Sequence, residues 1–374
     1  MSHSFPEGLS QAEVIAAAET FVPLSSLKSN YLDHLLTEHA CVEHLFPGQV
    51  IFERGDSDCR HVYLLSGRIV LEYASGLKKS LDAIGSLFPI VNEMPRPCRA
   101  YAESDCTVIF IDSDRLDRIL SWSQIAQYLL SEFSLKREFD EDLPWIQTIL
   151  NSNLFYKVPP VNAEQIVGRM TVQEVVKGEV ILRQGELGDC CYFIKEGQAS
   201  VHRQEGRKTL HLADIQTGRC FGEDALVNET ARNATVKMES DGVLMRLSKK
   251  DFQLLLLEPK IDEYSEGDQQ FDQPPVFIDV RTHEEYEQGH LTMAINLPLA
   301  FLSVEKRMLD MSVPYVVYCD TGRRSRSAAY LLARLGFTVS SLAGGLLGAG
   351  MQYQLVQDFS YLLKGGKVVR ASIQ

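Results

Sequence analysis

Residues 48–67, GQVIFERGDSDCRHVYLLSG, and residues 178–197, GEVILRQGELGDCCYFIKEG, carry the same pattern 130 positions apart. Glycines occupy the same three places in both stretches, and short runs rich in β-branched and aromatic residues lie between them. Glycine tolerates the positive φ of tight turns, and runs of this composition favour strands. The chain therefore contains one module twice, and the spacing predicts an antiparallel barrel or roll.

Helix signals flank the two copies. Apolar residues recur with helical period before the first copy and again between the copies. Pro144 follows an acidic stretch and is expected to stop one helix before Trp145 begins the next. We therefore assign the first module to residues 1–143 and the second to residues 144–257.

The composition changes after the second module. Residues 258–275 hold six acidic residues and one lysine, which indicates a solvated connector. In residues 276–374, apolar strand-like runs alternate with helical segments, which indicates an α/β domain with a parallel sheet. The fold class predicted for the whole chain is multidomain α+β: two β-roll or jelly-roll modules with flanking helices, followed by an α/β domain.

Charge and composition exclude several classes of function. The 374-residue chain has a formal net charge of −13, which opposes binding to nucleic acid over most of its surface. No apolar run approaches the roughly 18 residues that cross a bilayer, and the first residues lack the pattern of an export signal. Eight cysteines without a CxxC pair indicate neither a disulfide framework nor a metal site. We therefore expect a cytoplasmic protein that binds neither nucleic acid nor a membrane.

The strongest chemical signal is Cys319-Asp320-Thr321-Gly322-Arg323-Arg324, between an apolar strand and a helix predicted to start near Ser325. A thiol in such a loop faces backbone N–H groups and the positive end of a helix dipole. Residues 319–334 hold four arginines and one acid, a local charge of 4 − 1 = +3. These surroundings predict a lowered thiol pKa and a nucleophilic thiolate at Cys319.

Several further segments accompany this loop, in order, over about residues 268–365: Asp279-Val280-Arg281, Glu285-Tyr286, Gly289-His290-Leu291 and Ala294-Ile295-Asn296-Leu297-Pro298. Together they resemble the pattern of the rhodanese family. The resemblance implies a sulfurtransferase whose cysteine accepts sulfane sulfur from a donor such as thiosulfate, becomes a persulfide, and passes the sulfur to cyanide or a thiol. It implies that Cys319 and Arg324 are catalytic and that the substrate is bound by Asp320, Thr321, Gly322 and Arg323.

Two alternatives bear on this domain. Phosphatases with an analogous loop resemble Cys-x5-Arg, whereas four residues separate Cys319 from Arg324 here, so sulfur transfer is favoured over phosphate hydrolysis. The other alternative is an inert loop on a rhodanese fold that is used for binding. We interpret the glycines between Gly344 and Gly350 as close packing or loop geometry.

The second copy of the module carries an anion-binding pattern. Ala225 and Leu226 are expected to open a short helix whose free N–H groups face an anion, and Arg232 can grip the same anion with a bidentate fork. Glu223 is placed to accept hydrogen bonds from sugar hydroxyls. A phosphate joined to a ribose satisfies both demands.

The segments Phe221-Gly222-Glu223-Asp224-Ala225-Leu226 and Arg232-Asn233-Ala234-Thr235-Val236 resemble the phosphate-binding cassette of cyclic nucleotide-binding domains. The resemblance covers about residues 145–257 and implies cAMP or cGMP as a candidate effector. By this resemblance Arg232 binds the cyclic phosphate and Glu223 the ribose 2′-OH. Further ligand contacts are assigned to Gly222, Ala225, Asn233 and Ala234. The alternative is a degenerate roll in which Arg232 makes an internal salt bridge.

The first copy lacks most of this pattern. Arg96 lies opposite Arg232, but Phe88-Pro89-Ile90 stands where Phe221-Gly222-Glu223 stands in the second copy, and three residues of the cassette helix are missing. We therefore expect a structural or dimer-forming module with Arg96 paired on the surface. A homodimer is accordingly one candidate assembly.

The sequence thus predicts a sulfurtransferase that requires no cofactor and takes a cyclic nucleotide as candidate regulator. Its partners would be a small-molecule sulfur donor and a thiol or cyanide acceptor. A second class is also open: a non-enzymatic sensor of cyclic nucleotide, sulfur species or oxidants, or a scaffold, with a silent rhodanese domain. The two classes differ in whether the Cys319 sulfur takes part in catalytic turnover.

Overall fold

The computed structural model describes residues 10–134, 143–150, 152, 158–265, 267, 271–349, 355–357, 360–364 and 367–370. The chain divides into two compact units. One unit contains residues 1–124 and 261–374, and the other contains residues 125–260. The first module and the C-terminal domain therefore belong to the same unit, and the division of the sequence after residues 143, 257 and 275 stays a prediction.

The first module is an antiparallel roll preceded by two helices. Helices α1 (Gln11–Ala18) and α2 (Ser29–His39) come first. The strands are β1 (Ala40–Leu45), β2 (Val50–Phe52), β3 (Arg60–Ser66), β4 (Arg68–Tyr73), β5 (Lys78–Asp82), β6 (Cys98–Ala102) and β7 (Cys106–Asp112). They form two sheets with the orders β1-β7-β3 and β2-β6-β4-β5, and helix α3 (Ser113–Ser134) follows β7 directly.

The second module repeats this plan. Its first elements are α4 (Leu143–Leu150), α5 (Ala163–Arg169), β8 (Thr171–Val175), β9 (Val180–Leu182), β10 (Cys190–Glu196), β11 (Ala199–Glu205) and β12 (Lys208–Ile215). The others are β13 (Cys220–Phe221), α6 (Glu223–Val227), β14 (Thr235–Met238), β15 (Gly242–Ser248) and α7 (Lys249–Leu255). The two antiparallel sheets have the orders β13-β10-β15-β8 and β12-β11-β14-β9.

The predicted repeat is confirmed at the level of turns and strands. The quoted stretches contain β2 and β3 in the first module and β9 and β10 in the second. Gly67 and Gly197, which end the two stretches, have φ of +83° and +94°. In each module the strands that follow these glycines enclose an apolar core, which includes Val62 and Ile69 in one and Ile194 and Val236 in the other.

The C-terminal domain contains the predicted parallel sheet. Its elements are β16 (Glu263–Tyr264), β17 (Val276–Asp279), α8 (His283–Gln288), β18 (His290–Leu291), β19 (Ile295–Asn296), α9 (Leu302–Glu305) and β20 (Tyr315–Tyr318), then α10 (Arg323–Arg334), β21 (Val339–Leu342), α11 (Gly345–Ala349), β22 (Leu355–Val356), β23 (Tyr361–Lys364) and β24 (Lys367–Arg370). The parallel sheet has the order β16-β21-β20-β17-β19. Strand β20 is central and all four of its residues are buried.

Strand β16 lies within the predicted connector at residues 258–275. Glu263 and Tyr264 pair in parallel with β21, so a strand of the sheet lies within that acidic stretch. The Tyr264 ring stacks on Phe271 with ring centroids 6.2 Å apart and meets the edge of Phe277 at 5.9 Å. Aromatic burial at these positions outweighs the acidic composition of their neighbours.

Two glycines of the first module allow a matched stability test. Gly67 and Gly76 have φ of +83° and +81°, but only at Gly67 would an added Cβ collide, 2.2 Å from the Asp105 carbonyl oxygen. We expect Gly76→Ala to cost about 1 kcal/mol for the left-handed backbone alone and Gly67→Ala to cost at least about 3 kcal/mol. Thermal denaturation of the two full-length variants measures the difference, and equal midpoints would contradict the close packing at Gly67.

Candidate functional site

The Cys319 loop is held by elements on both of its sides. It runs from the end of β20 to the start of α10, and Gly322 has a φ of +93° just before the helix. Gly345 of α11 packs against the loop so closely that a Cβ there would lie 2.6 Å from Cys319 O, Asp320 O and Gly322 N. The interpretation of this glycine as a close-packing residue is therefore confirmed.

Backbone N–H groups point at the Cys319 sulfur. The N–H groups of Gly322 and Ser325 donate to Sγ at 3.2 and 3.4 Å. The predicted helix begins at Arg323, two residues before Ser325, so its first turn supplies the second donor. This geometry is suited to holding negative charge on sulfur.

The state of the thiol nevertheless contradicts the sequence prediction. Cys319 is fully buried, and its Sγ–H donates to Asp117 Oδ2 at 3.0 Å. Burial raises the pKa of the Cys319 thiol well above its ordinary value, the Asp117 carboxylate raises it further, and Arg324 opposes this only in part. The prediction of a lowered pKa was wrong for this structure, because it counted neighbours along the chain and missed a carboxylate from α3.

Asp117 occupies the loop as an anion would. Its Oδ2 accepts from the Thr321 hydroxyl at 2.6 Å and from the Thr321 N–H at 3.4 Å. Its Oδ1 accepts from Nε of Arg324. The side chain of Asp117 is 2% exposed, so these donors compensate a carboxylate that has lost its water.

The arginines predicted to attract an anionic donor are already paired. Arg324 is buried and binds both oxygens of Glu285, at 2.7 and 2.8 Å, as well as Asp117. Arg323 forms a bidentate pair with the exposed Asp114, at 2.6 and 3.0 Å. The local charge of +3 read from residues 319–334 is therefore cancelled by carboxylates that are distant in sequence.

Asp320 does not face a substrate either. Its carboxylate lies 3.0 Å from an Arg281 nitrogen and 3.5 Å from His61 Nε2, and Asn92 donates to it at 3.4 Å. Burial alone would raise the pKa of Asp320, but Arg281, His61 and Arg324 together hold it well below its usual range. These contacts fix the loop to the first module, and the substrate-binding role of Asp320 stays a prediction.

Sequence reasoning missed the first-module residues that meet this loop. They are His61, Asn92, Asp114, Asp117 and Ser121. The spacing of the last three places them on one face of α3, which opposes Arg323, Arg324 and Ser327 of α10. Acids near the start of a helix usually face solvent, so no local signal pointed to Asp114 or Asp117.

The second module brings its predicted ligand-binding residues to one cavity. A partly open cavity of about 230 Å³ is lined by polar and charged groups and by apolar side chains such as Leu182 and Val201. All six predicted residues line it: Gly222, Glu223, Ala225, Arg232, Asn233 and Ala234. Arg203 adds a second guanidinium to its wall.

Arg232 is held in place at this cavity. Its guanidinium donates to the carbonyl oxygens of Gly222 and Cys190, both at 2.6 Å, and lies 3.3 Å from Asp189. The internal salt bridge that was weighed as an alternative is therefore present. It involves an Asp189 side chain that is 72% exposed, so water can take the place of Arg232 at that carboxylate.

The corresponding arginine of the first module, Arg96, makes its contacts inside the protein. Arg96 is buried rather than on the surface, which corrects the prediction. Its guanidinium donates to backbone carbonyls that include Arg60 O, pairs with Asp58 at 3.4 Å, and lies over the Phe52 ring at 4.4 Å. Residues 83–97 form turns without a counterpart of α6, so this arginine is committed to packing.

Comparison with known families agrees with both geometries. The model of the cyclic nucleotide-binding domain matches residues 42–122 and 172–258, and the model of the rhodanese-like domain matches residues 263–349. The chain combines two cyclic nucleotide-binding domains with one rhodanese-like domain. The rhodanese-like domain contains the Cys319 loop, and the second cyclic nucleotide-binding domain contains the cavity at Arg232.

Curated relatives resemble the cyclic nucleotide-binding part. The chain is 26% identical over 270 residues to the cAMP-dependent protein kinase type II regulatory subunit of Drosophila melanogaster, covering 68% of this chain and 66% of the relative. It is 25% identical over 254 residues to the cAMP-dependent protein kinase regulatory subunit of Yarrowia lipolytica, covering 65% and 63%. The chain thus spans less than two thirds of the length of either relative.

Among solved structures, the regulatory domain of Toxoplasma gondii protein kinase A with cAMP matches with 18% identity and a TM-score of 0.28. The match covers 68% of this chain and 94% of that one. In the described part of the chain, no helix has the length and hydropathy needed to cross a bilayer.

The buried thiol predicts selective alkylation. Cys41 and Cys59 are exposed and Cys319 is buried, so iodoacetamide at pH 7.5 should label the first two and leave Cys319 unlabelled while the chain is folded. Because the folded pKa lies above the ordinary value of about 8.5, the thiolate and its alkylation should increase only at pH well above that value. Mass spectrometry of the Cys319 peptide gives the rate, and fast labelling at neutral pH would contradict the buried state.

Proposed function

We propose that the second cyclic nucleotide-binding domain binds cAMP or cGMP, and that the rhodanese-like domain is a sulfurtransferase with Cys319 as its nucleophile. The observation that supports the first part is the convergence of six predicted ligand-binding residues on one cavity. The observation that supports the second is the pair of N–H groups that point at Sγ.

The cavity offers complementary groups for a cyclic nucleotide. The Arg232 and Arg203 side chains supply positive charge for a cyclic phosphate, and the buried Glu223 supplies acceptor oxygens for a ribose hydroxyl. The apolar wall at Leu182 and Val201 suits a base or the sugar face. Gly222 has a φ of +84° and brings the first turn of α6 to the cavity edge.

The first domain is assigned no ligand. Arg96 and Arg232 both donate to backbone carbonyls, but Arg96 also lies over the Phe52 ring, and residues 83–97 contain no helix to supply N–H groups to a phosphate. The relatives named as cAMP-dependent kinase regulatory subunits support a cyclic nucleotide ligand for this chain. We assign that ligand to the second domain alone.

The sulfurtransferase chemistry proceeds in two balanced steps. The Cys319 thiolate attacks the outer sulfur of thiosulfate, a cysteine–sulfur bond forms, and sulfite leaves with the electron pair of the broken sulfur–sulfur bond. Cyanide or an acceptor thiolate then attacks the outer sulfur of the persulfide, takes that sulfur, and leaves Cys319 again as a thiolate. The Gly322 and Ser325 N–H groups stabilise the negative sulfur in both steps.

A non-enzymatic function is the second candidate, and a specific observation favours it. Cys319 is buried and donates to Asp117, a state in which the sulfur can neither ionise readily nor meet a donor molecule. A chain locked in that state would sense the nucleotide and use the rhodanese-like domain for binding only. A reducing compartment such as the cytoplasm would keep the thiol intact in either case.

Calorimetry with cAMP and cGMP tests the nucleotide site. Arg232→Ala removes the guanidinium that would bind the cyclic phosphate. Nucleotide affinity should therefore fall roughly ten- to a hundredfold, which is the usual effect of losing a hydrogen bond to a charged group. Arg219→Ala is the matched control, because this exposed arginine does not line the cavity and its loss should leave the affinity unchanged. The assignment would be overturned if neither nucleotide gave a heat of binding with the wild type, or if Arg232→Ala bound the nucleotide as tightly as the wild type.

A thiosulfate and cyanide assay separates the enzyme from the scaffold. The sulfurtransferase proposal expects thiocyanate from the full chain at saturating thiosulfate, and none from Cys319→Ser. Cys59→Ser is the control, since this exposed thiol is remote from the loop in sequence and its loss should leave the rate unchanged. Thiocyanate formation that persists in Cys319→Ser, or that is absent both in the wild type and in Asp117→Asn, which removes the charge beside the thiol, would favour the non-enzymatic function.

A further inference from the structure

Helix α3 of the first cyclic nucleotide-binding domain places a carboxylate inside the Cys319 loop. The Asp117 oxygens contact the Cys319 thiol, the Thr321 hydroxyl and N–H, and the Arg324 Nε–H. These are the donors that the loop would offer to an anionic sulfur donor such as thiosulfate. The carboxylate therefore occupies the volume and the hydrogen bonds that an incoming anion would need.

The charges buried around the Cys319 loop also disfavour a thiolate at Cys319. Arg324 and Arg281 are the two buried cations at this loop, and they are matched there by the carboxylates of Asp279, Glu285, Asp320 and Asp117. A thiolate at Cys319 would add a further negative charge 3.0 Å from Asp117. The contact is therefore compatible with a protonated thiol and unfavourable for the nucleophilic form.

Further contacts hold the carboxylate in position. Ser121 lies one turn beyond Asp117, and its hydroxyl oxygen is 2.9 Å from that of Ser327 on α10, in a buried contact. At the start of the same helix face, Asp114 pairs with Arg323. Ser121 and Ser327 form the buried end of the contact, whereas Asp114 and Arg323 form its exposed end.

We propose that Asp117 is an internal inhibitor of the rhodanese-like domain, which fills the anion-binding loop and keeps the Cys319 thiol protonated until α3 moves away. This proposal adds a regulatory contact to the proposed sulfurtransferase function, and the inhibitor role rests on that function. Its physical content, the block of the thiol by a carboxylate, can be measured without any turnover.

The test compares iodoacetamide labelling of Cys319 in the full-length wild type, Asp117→Asn and Asp114→Asn at pH 7.5. Asp117→Asn keeps the size of the side chain but removes its charge, so Cys319 labelling should become at least roughly tenfold faster. Asp114→Asn makes the same chemical change one turn earlier, at a half-exposed carboxylate that binds Arg323 rather than the thiol, and should raise Cys319 labelling much less than Asp117→Asn does. Unchanged Cys319 labelling in folded Asp117→Asn would overturn the proposal.

A reversible lock keeps the proposal testable if Asp117→Asn does not fold. The double substitution Ser121→Cys and Ser327→Cys places two thiols where the hydroxyl oxygens are 2.9 Å apart, so oxidation should tie α3 to α10. Oxidised protein should label Cys319 at least roughly tenfold more slowly than the same protein after reduction. Equal Cys319 labelling of the oxidised and reduced forms would overturn the proposal.

Thiocyanate formation by the same proteins distinguishes the two failures. Faster labelling of Asp117→Asn together with faster thiocyanate formation supports both the inhibitor and the enzyme. Faster labelling without thiocyanate supports the block by Asp117 and contradicts the sulfurtransferase function. Thiocyanate formation by a wild type whose Cys319 labels as fast as that of Asp117→Asn contradicts the inhibitor and leaves the enzyme standing.

Discussion

A thiol and a carboxylate lie 3.0 Å apart in a site closed to water, and they cannot both carry a negative charge. This constraint decides the chemical state of the C-terminal domain. The loop supplies N–H groups for an anion, yet the anion it holds is the Asp117 side chain of its own chain. In the rhodanese-like domain the Cys319 thiol is thus oriented by backbone N–H groups but buried and bound to a carboxylate.

The two cyclic nucleotide-binding domains share a fold but differ in the surroundings of the corresponding arginine. In the second, the arginine faces a cavity and pairs with an exposed carboxylate. In the first, the arginine lies under backbone carbonyls and a phenyl ring, and the helix after the last strand carries Asp117 to the Cys319 loop. The first domain thus lacks a counterpart of α6 at its arginine and contacts the rhodanese-like domain through α3.

The architecture was largely predictable from sequence, because its signals are local. The repeated glycines mark tight turns, the apolar runs mark strands, and the alternation after residue 276 marks a parallel sheet. The cavity residues from Gly222 to Ala234 were also found, since they lie close together along the chain. The short strand at Tyr264 was missed because acidic neighbours hid one aromatic residue that packs in the core.

The chemical state of Cys319 was not predictable in the same way. Its pKa depends on Asp117, which is 202 positions away and looks like an ordinary solvated acid near the start of a helix. The arginines near the thiol were counted correctly, but the acids that pair with them come from three other segments, α3, α8 and β16. Electrostatics of a buried site is a property of the assembled fold, so a local charge count gave the wrong sign for the pKa shift.

The most direct test of this account is a pH titration of the full chain by carbon-13 NMR with labelled cysteine Cβ, in which Cys319→Ser assigns the Cys319 signal. The account predicts that the Cys319 Cβ shift stays at its thiol value through pH 8.5. A Cys319 signal that titrates at or below pH 7 would show a free thiolate and contradict the closed loop.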